Sequence, residues 1–344
     1  MKIEETNLEE QPQLKKKDFM SDQTIRWCPG CGDYSILSQV QTVMAEIGVP
    51  PHQTAVVSGI GCSSRFPYYM NTFGFHTIHG RAPAFATALK CVNPDLSVWM
   101  VTGDGDGLSI GGNHLAHLLR RNVDLVAMLF NNRIYGLTKG QYSPTSEVGK
   151  KTKSTPLGSL DTPFVPLKFA MGARGSFLAR SVDIIAKHLR ETLKRAEAHS
   201  GTSFVEIYQN CNIFNDKAFS AVVDRKERDE HCLFLEHGQP MTFGAKDAPK
   251  GLVLDGLRPK VVAMGEEYTE ADCIVHDEKN PFIAAMLVEL DHPQYPVPMG
   301  VLYCEDRPTY NGAFNDQVGL AKELAGGQGT LEDLLYSGQT WTVE

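Results

Sequence analysis

The sequence has no run of about 18 apolar residues, so no stretch of it reads as a membrane-crossing helix. It has no basic excess: 33 Lys and Arg stand against 41 Asp and Glu, for a net charge of −8. That balance argues against a nucleic-acid partner. The opening MKIEETNLEEQPQLKKKDFMSDQ lacks the apolar core of a secretory leader, and residues 1–25 read as a polar, mobile segment. Internal repeats and low-complexity segments are missing, as is the Gly-Lys-Ser/Thr ending of a P-loop. Only one Cys-x-x-Cys occurs, so no second pair completes a zinc ribbon. Eight cysteines without a leader point to a reducing, cytoplasmic setting, where such pairs more often bind metal or do redox chemistry than form disulfides.

What is present is enough apolar sequence for a sizeable core. At 344 residues and 42% hydrophobic, the chain allows one large or two modest domains. From Asp33 to Gln209 strands and helices alternate. Asp33 caps a helix with Ile36, Val40, Val43 and Ile47 at helical spacing, stopped by Gly48. TAVVSGIG (54–61), LSVWMVT (96–102), VDLVAMLF (123–130) and SFVEIY (203–208) read as buried strands. PAFATALKC, a stretch through His114 and Leu118, and Ile185, Leu189, Leu193 and Ala196 read as the intervening helices. Continuous apolar strands separated by helices predict an α/β fold, a mostly parallel sheet covered on both faces. Ligands of such sheets bind at the C-terminal strand ends. Cys62, Asp104 and Asn132 each follow a predicted strand, and so does Cys211.

Between Gly136 and Lys168 the periodicity fails over a long polar stretch, which is uncommon for a loop without function. After residue 216 charge is mixed, prolines recur and few periods are clear. Residues 26–216 read as the main domain and 217–344 as an irregular C-terminal extension that packs on it or wraps a partner.

Two motifs carry chemistry. In RWCPGCGD (26–33) the Cys28–Cys31 pair suits structural zinc, a redox couple or half of a cluster site, and the hairpin alone leaves these open. Cys62 in SGIGCSS and Cys211 in YQNCN supply two further thiols from separate segments. VTGDGDGLSIGGNH (101–114) lies between a strand and a helix, where backbone N–H groups can approach phosphate while a carboxylate holds a hard cation. EF-hand spacing fails at Leu108, and a plain helix-capping turn is the bland alternative. Asn131-Asn132 follows the next strand.

Gly-Asp-Gly, helix, strand and Asn-Asn in that order resembles the thiamine diphosphate motif, which implies Mg²⁺ on Asp104, Asn132 and the carbonyl of Ile134. The ordered set WCPGCG, GIGCSS, HTIHGRAPAFATALK, GDGDGLSIGGNH and NNRIYGLTKGQYSPTS resembles the β subunit of the 2-oxoacid:ferredoxin oxidoreductases, from about Arg26 to Asp216. The 2-oxoglutarate branch is the most similar. The resemblance implies a [4Fe–4S] cluster on Cys28, Cys31, Cys62 and Cys211. It also implies thiamine diphosphate contacts from Ile60, Gly61, Cys62, Ser63, His79, Gly105 and Asp106, and from Gly136, Leu137, Thr138, Lys139, Gly140 and Gln141. The implied reaction is reversible oxidative decarboxylation of a 2-oxoacid, with coenzyme A taking the acyl group and ferredoxin the electrons, so no nicotinamide fingerprint is needed.

No Glu in this chain can be assigned to activate the cofactor. The resemblance implies that an α subunit supplies it, in an αβ heterodimer paired into (αβ)₂. Arg65 and Lys139 are the candidates for gripping substrate; relatives often carry Lys where Arg65 stands. Cys91, Cys232, Cys273, Cys304, His76 and His114 read as packing or surface groups. The rival readings are an iron–sulfur or zinc electron-transfer subunit without thiamine, the same enzyme acting on pyruvate or another 2-oxoacid, and a thiamine decarboxylase or synthase without a cluster.

Overall fold

The computed structural model describes residues 13–327 and 329–343. Its centre is a sheet built from β1 (Thr54–Ser58), β2 (Phe73–His76), β3 (Ser97–Gly103), β4 (Leu125–Asn131), β5 (Phe177–Val182) and β6 (Thr202–Tyr208). Later come β7 (Cys232–Phe234), the antiparallel set β8 (Thr242–Ala245), β9 (Ala248–Asp255) and β10 (Arg258–Ala263), and finally β11 (Val297–Cys304). The main sheet runs in the order β2-β1-β3-β4-β6-β5-β11-β7. All its pairings are parallel except β11 against β5.

β1, β4 and β6 are buried along their whole length, which is why the sequence reads there as strands packed on both faces. Successive residues serve opposite layers. Val56, Trp99, Val101, Val126, Met128 and Phe130 pack with α1 (Asp33–Ile47) and α5 (Ala186–Ala198). Val57, Val98, Met100, Ala127 and Leu129 pack with α2 (Ala82–Val92), α3 (Gly112–Arg121) and α4 (Pro166–Gly172). The predicted parallel α/β architecture is therefore observed. Among the described residues no helix is long and apolar enough to cross a membrane.

Two regions differ from their sequence reading. Of the segment read as mobile, residues 1–12 lie outside the described residues, whereas residues 13–25 run along the surface anchored at Phe19. Phe19 is fully buried, and its carbonyl accepts from the Asn71 backbone at 3.0 Å. An apolar side chain docked on the domain outweighs the polarity of its neighbours. The C-terminal extension also contributes to the main sheet, because β7 and β11 form its far side.

Strand β5 went unread because Arg180 interrupts its apolar run. The structure pairs that cation across the register with Glu206 of β6. Arg180 Nε lies 2.8 Å from Glu206 Oε2, and Asn131 Nδ2 donates to the other oxygen at 2.8 Å. Arg180 is 3% exposed and Glu206 0%. Removing one partner strands an unpaired charge in the sheet. Glu206→Ala is therefore expected to lower unfolding free energy by about 3–5 kcal/mol. Chemical denaturation measures this, and a loss below about 1 kcal/mol would mean that the pair carries no such constraint.

Candidate active site at the strand ends

Loops leaving the C-terminal ends of β1, β2, β3 and β4 enclose one cleft. It is lined by Ile60, Gly61, Cys62, Ser63, His79, Asp104, Gly105, Asp106, Asn132, Ile134, Gly136, Leu137 and Thr138, with Gly103, Phe130 and Tyr135. Most residues singled out in the sequence are thus brought together. Lys139, Gly140 and Gln141 are not in the lining. Lys139 is exposed at φ +74°, Gly140 packs on Phe214, and Gln141 closes the turn by accepting from the Tyr135 backbone at 2.9 Å.

The Gly-rich turn continues as a π-helical turn over Asp106–Ile110. Asp106 is 3% exposed and its carboxylate faces inward, accepting from Ile60 N (3.1 Å), Gly80 N (2.7 Å) and Thr102 Oγ1 (2.7 Å). His79 Nδ1 also stands 2.7 Å from Oδ1, a close electrostatic approach off the axis of a hydrogen bond. Gly59 leaves room for this carboxylate, since a Cβ there would meet Oδ2 at 1.9 Å. The Asp106 side chain therefore positions the loops that bear Ile60 and His79. Gly105 is forced in a similar way: a Cβ would meet the Tyr135 ring at 2.2 Å, and Tyr135 Oη donates to the Gly105 carbonyl at 2.9 Å.

Asp104 is held by hydroxyls that the sequence reading did not single out. Ser143 Oγ and Thr145 Oγ1 both lie on Oδ2, at 2.5 and 2.6 Å, reaching in from the long polar stretch after Gly136. Burial pushes the Asp104 pKa up, and these donors pull it back. With the Asn132 amide and the Ile134 carbonyl on the same cleft, the donor set is all oxygen with one carboxylate, which fits Mg²⁺ sharing its shell with phosphate and water.

The cysteine hairpin is tied to this cleft from two sides. Trp27 Nε1 donates to the Cys62 carbonyl at 2.7 Å, and Asn212 Nδ2 to the Pro29 carbonyl at 2.7 Å. Gly136 stands between cleft and thiols: a Cβ on it would lie 3.5 Å from Cys211 Sγ and 3.8 Å from Cys62 Sγ. Burial, reinforced by the Asp33 carboxylate, pushes the Cys62 thiol up to about 12 and raises Cys31 as well. Asp33 is itself buried and raised to about 7. Neutral thiols are what such surroundings favour, and thiolates there need the positive charge of bound metal. Among the described residues no three His, Cys, Asp or Glu groups sit close enough for a single metal ion. Two thiols of the hairpin meet one each from the segments at Cys62 and Cys211, an all-sulfur donor set whose chemistry suits a cluster.

A second cavity adjoins the first and shares Ile60, Gly61 and Leu137 with it. Arg65 lines it, together with Arg26, Tyr68 and His76. His76 Nδ1 is 2.9 Å from the Ser64 carbonyl. Cys91, Cys232, Cys273 and Cys304 line neither cavity.

Residues 59–207 match the family model described as thiamine pyrophosphate enzyme, C-terminal TPP binding domain. The chain is 50% identical to the 2-oxoglutarate oxidoreductase subunit KorB of Mycobacterium tuberculosis, over 97% of this chain and 90% of that one. It is 34% identical to the 2-oxoacid:ferredoxin oxidoreductase 2 subunit beta of Aeropyrum pernix, over 83% of this chain and 82% of the other. Among solved structures, the 2-oxoglutarate:ferredoxin oxidoreductase from Magnetococcus marinus with 2-oxoglutarate, coenzyme A and succinyl-CoA bound superposes with a TM-score of 0.74 at 31% identity, covering 96% of this chain and 97% of that one. The similarity runs through the cleft, the cysteine segments and nearly all the rest of the sequence, and the chain belongs to the β-subunit family of the 2-oxoacid:ferredoxin oxidoreductases.

Proposed function

We propose that the chain is the cofactor-binding β subunit of a 2-oxoglutarate:ferredoxin oxidoreductase, catalysing reversible, coenzyme A-dependent oxidative decarboxylation of 2-oxoglutarate to succinyl-CoA and CO₂. The observation that carries this reading is the shared wall at Gly136, which lines the oxygen-rich cleft and lies so near Cys211 that a Cβ added to it would stand 3.5 Å from the sulfur. Carbon chemistry and electron removal then occur side by side.

Asp104, Asn132 and the Ile134 carbonyl would hold Mg²⁺ and through it the diphosphate, with His79, Gly105 and the turn from Gly136 to Thr138 around it. Cys28, Cys31, Cys62 and Cys211 would hold the [4Fe–4S] cluster. Once bound, thiamine diphosphate supplies the electron sink for decarboxylation and the cluster takes single electrons for ferredoxin. No glutamate lines the cleft among the described residues, which supports an α subunit supplying the activating Glu at an αβ interface, with two such pairs forming (αβ)₂.

The substrate assignment rests on the adjoining cavity. Arg26 and Arg65 line it against the single carboxylate of Asp22, and this excess of guanidinium favours a 2-oxoacid with a second carboxylate over pyruvate. Lys139, the other candidate for gripping substrate, is exposed on its turn and lines neither cavity.

Three outcomes test the reading on the αβ enzyme purified without oxygen. Wild-type protein is expected to carry about four irons and four sulfides per β chain with one thiamine diphosphate; zinc alone without thiamine would return the hairpin to a structural knuckle. Asp104→Ala should abolish Mg²⁺-dependent thiamine diphosphate binding in calorimetry, and retained affinity would remove Asp104 from the metal site. Arg65→Ala should raise KM for 2-oxoglutarate by roughly 10–100-fold, the value of a charge-assisted hydrogen bond. Unchanged steady-state kinetics would leave Arg65 without a substrate role.

A further inference from the structure

Gln209 follows directly on β6 and is 1% exposed. Its backbone N–H donates to the Asn131 carbonyl at 2.9 Å, extending the pairing of β6 with β4 by one residue. Its side-chain amide faces two centres at once. Oε1 accepts from Asn132 Nδ2 at 2.8 Å, while Nε2 donates to Cys31 Sγ at 3.2 Å and to the Asn210 carbonyl at 2.7 Å. A carbonyl only accepts, so the amide cannot be turned round without losing that bond. The same orientation fixes Asn132. With its Nδ2 turned to Gln209, its Oδ1 is the end left for a cation, and the Ile134 backbone N–H steadies that oxygen at 3.2 Å.

We propose that Gln209 is a positioning residue that couples the two cofactor sites, holding Asn132 oxygen-first toward Mg²⁺ and giving the Cys31 sulfur an N–H···S bond that raises the cluster potential. The proposal rests on the reading of Asn132 as a Mg²⁺ ligand and Cys31 as a cluster ligand. Partners of metal ligands set both the orientation of those ligands and the properties of the metal, and their loss commonly weakens binding 10–100-fold. A donor aimed at a cluster sulfur stabilises the extra electron of the reduced state, so its removal lowers the potential. An amide that merely filled a polar gap in the core would have no reason to divide its two ends between ligands of different centres.

The test uses the αβ holoenzyme. Iron, sulfide and thiamine diphosphate content of the wild type judge the underlying reading separately. In Gln209→Met, of similar length but without polar atoms, the midpoint potential in an EPR-monitored redox titration is expected to fall, and the Kd for Mg²⁺-thiamine diphosphate to rise about ten-fold. Gln209→Glu keeps an acceptor for Asn132, so its Kd is expected to stay within about two-fold of wild type. A Met variant with full iron and sulfide and neither quantity changed would overturn the proposal, and so would a Glu variant weakened as much as the Met one. If the Met variant fails to assemble a cluster, the Glu variant decides: it loses the N–H donor to Cys31, so its midpoint potential is expected to fall while its affinity holds, and an unchanged potential or a ten-fold loss of affinity ends the role.

Discussion

The cleft owes its shape to the carboxylate of Asp106, which meets donors from the loops after β1 and β2 and from β3 itself, with the His79 imidazole close against it. Each of those backbone N–H groups turns away from regular pairing at a strand end. Buried without an acceptor, each would cost about 1–3 kcal/mol. The two oxygens of a carboxylate offer enough lone pairs to accept from all three donors at once. Asp106 therefore shapes the cleft chiefly through others, by setting where Ile60 and His79 stand. The glycines around it follow from the same demand, since Gly59 is the space the carboxylate occupies.

A second polar system lies behind the first, in the middle of the sheet. Asp104 is bonded by Thr145 at the cleft, Asn131 bonds Glu206, and Glu206 pairs with Arg180. An isolated charge at any of these positions would be expelled or neutralised, so the groups have to occur together. Their geometry is set by register, because β4, β6 and β5 are neighbours and Arg180 stands directly across from Glu206. Asp104 and Asn132 thus draw their rigidity from the central strands.

Legibility follows the same division. The parallel sheet could be read because β1, β3 and β4 are largely apolar on both faces and Phe204, Val205, Ile207 and Tyr208 outweigh Glu206 on β6, and the strand ends carrying Cys62, Asp104, Asn132 and Cys211 came with them. β5 escaped because Arg180 and Ser181 break its pattern, and their compensation lies on other strands, invisible to local periodicity. β2 escaped for the opposite reason: its FGFH is an exposed edge with no buried face to set a period. Ser143 and Thr145 stood in a stretch with no period at all. Their hydroxyls acquire meaning only when the chain folds back onto Asp104, about 40 residues earlier in sequence. Asp106 was legible as a member of the site but not in its direction, since nothing in GDGD says which carboxylate turns inward.

Strand β6 draws these threads together. Within six residues it passes from Glu206, the partner of Arg180, through Gln209, bonded to Asn132 and Cys31, to the thiol of Cys211. A central strand is the least mobile place from which to hang a cysteine, because it is paired on both sides and buried on both faces. The facing turn meets it with Gly136, whose missing side chain leaves only backbone between the Cys211 and Cys62 sulfurs and the cleft. A cluster beside a carbon-chemistry site requires that closeness together with that rigidity: electron transfer depends on a short, constant separation, while the cofactor must be held without strain as its charge changes. A single strand end opposite a glycine turn meets both demands, and on the proposed reading it would let one chain hold both cofactors without a mobile carrier between them.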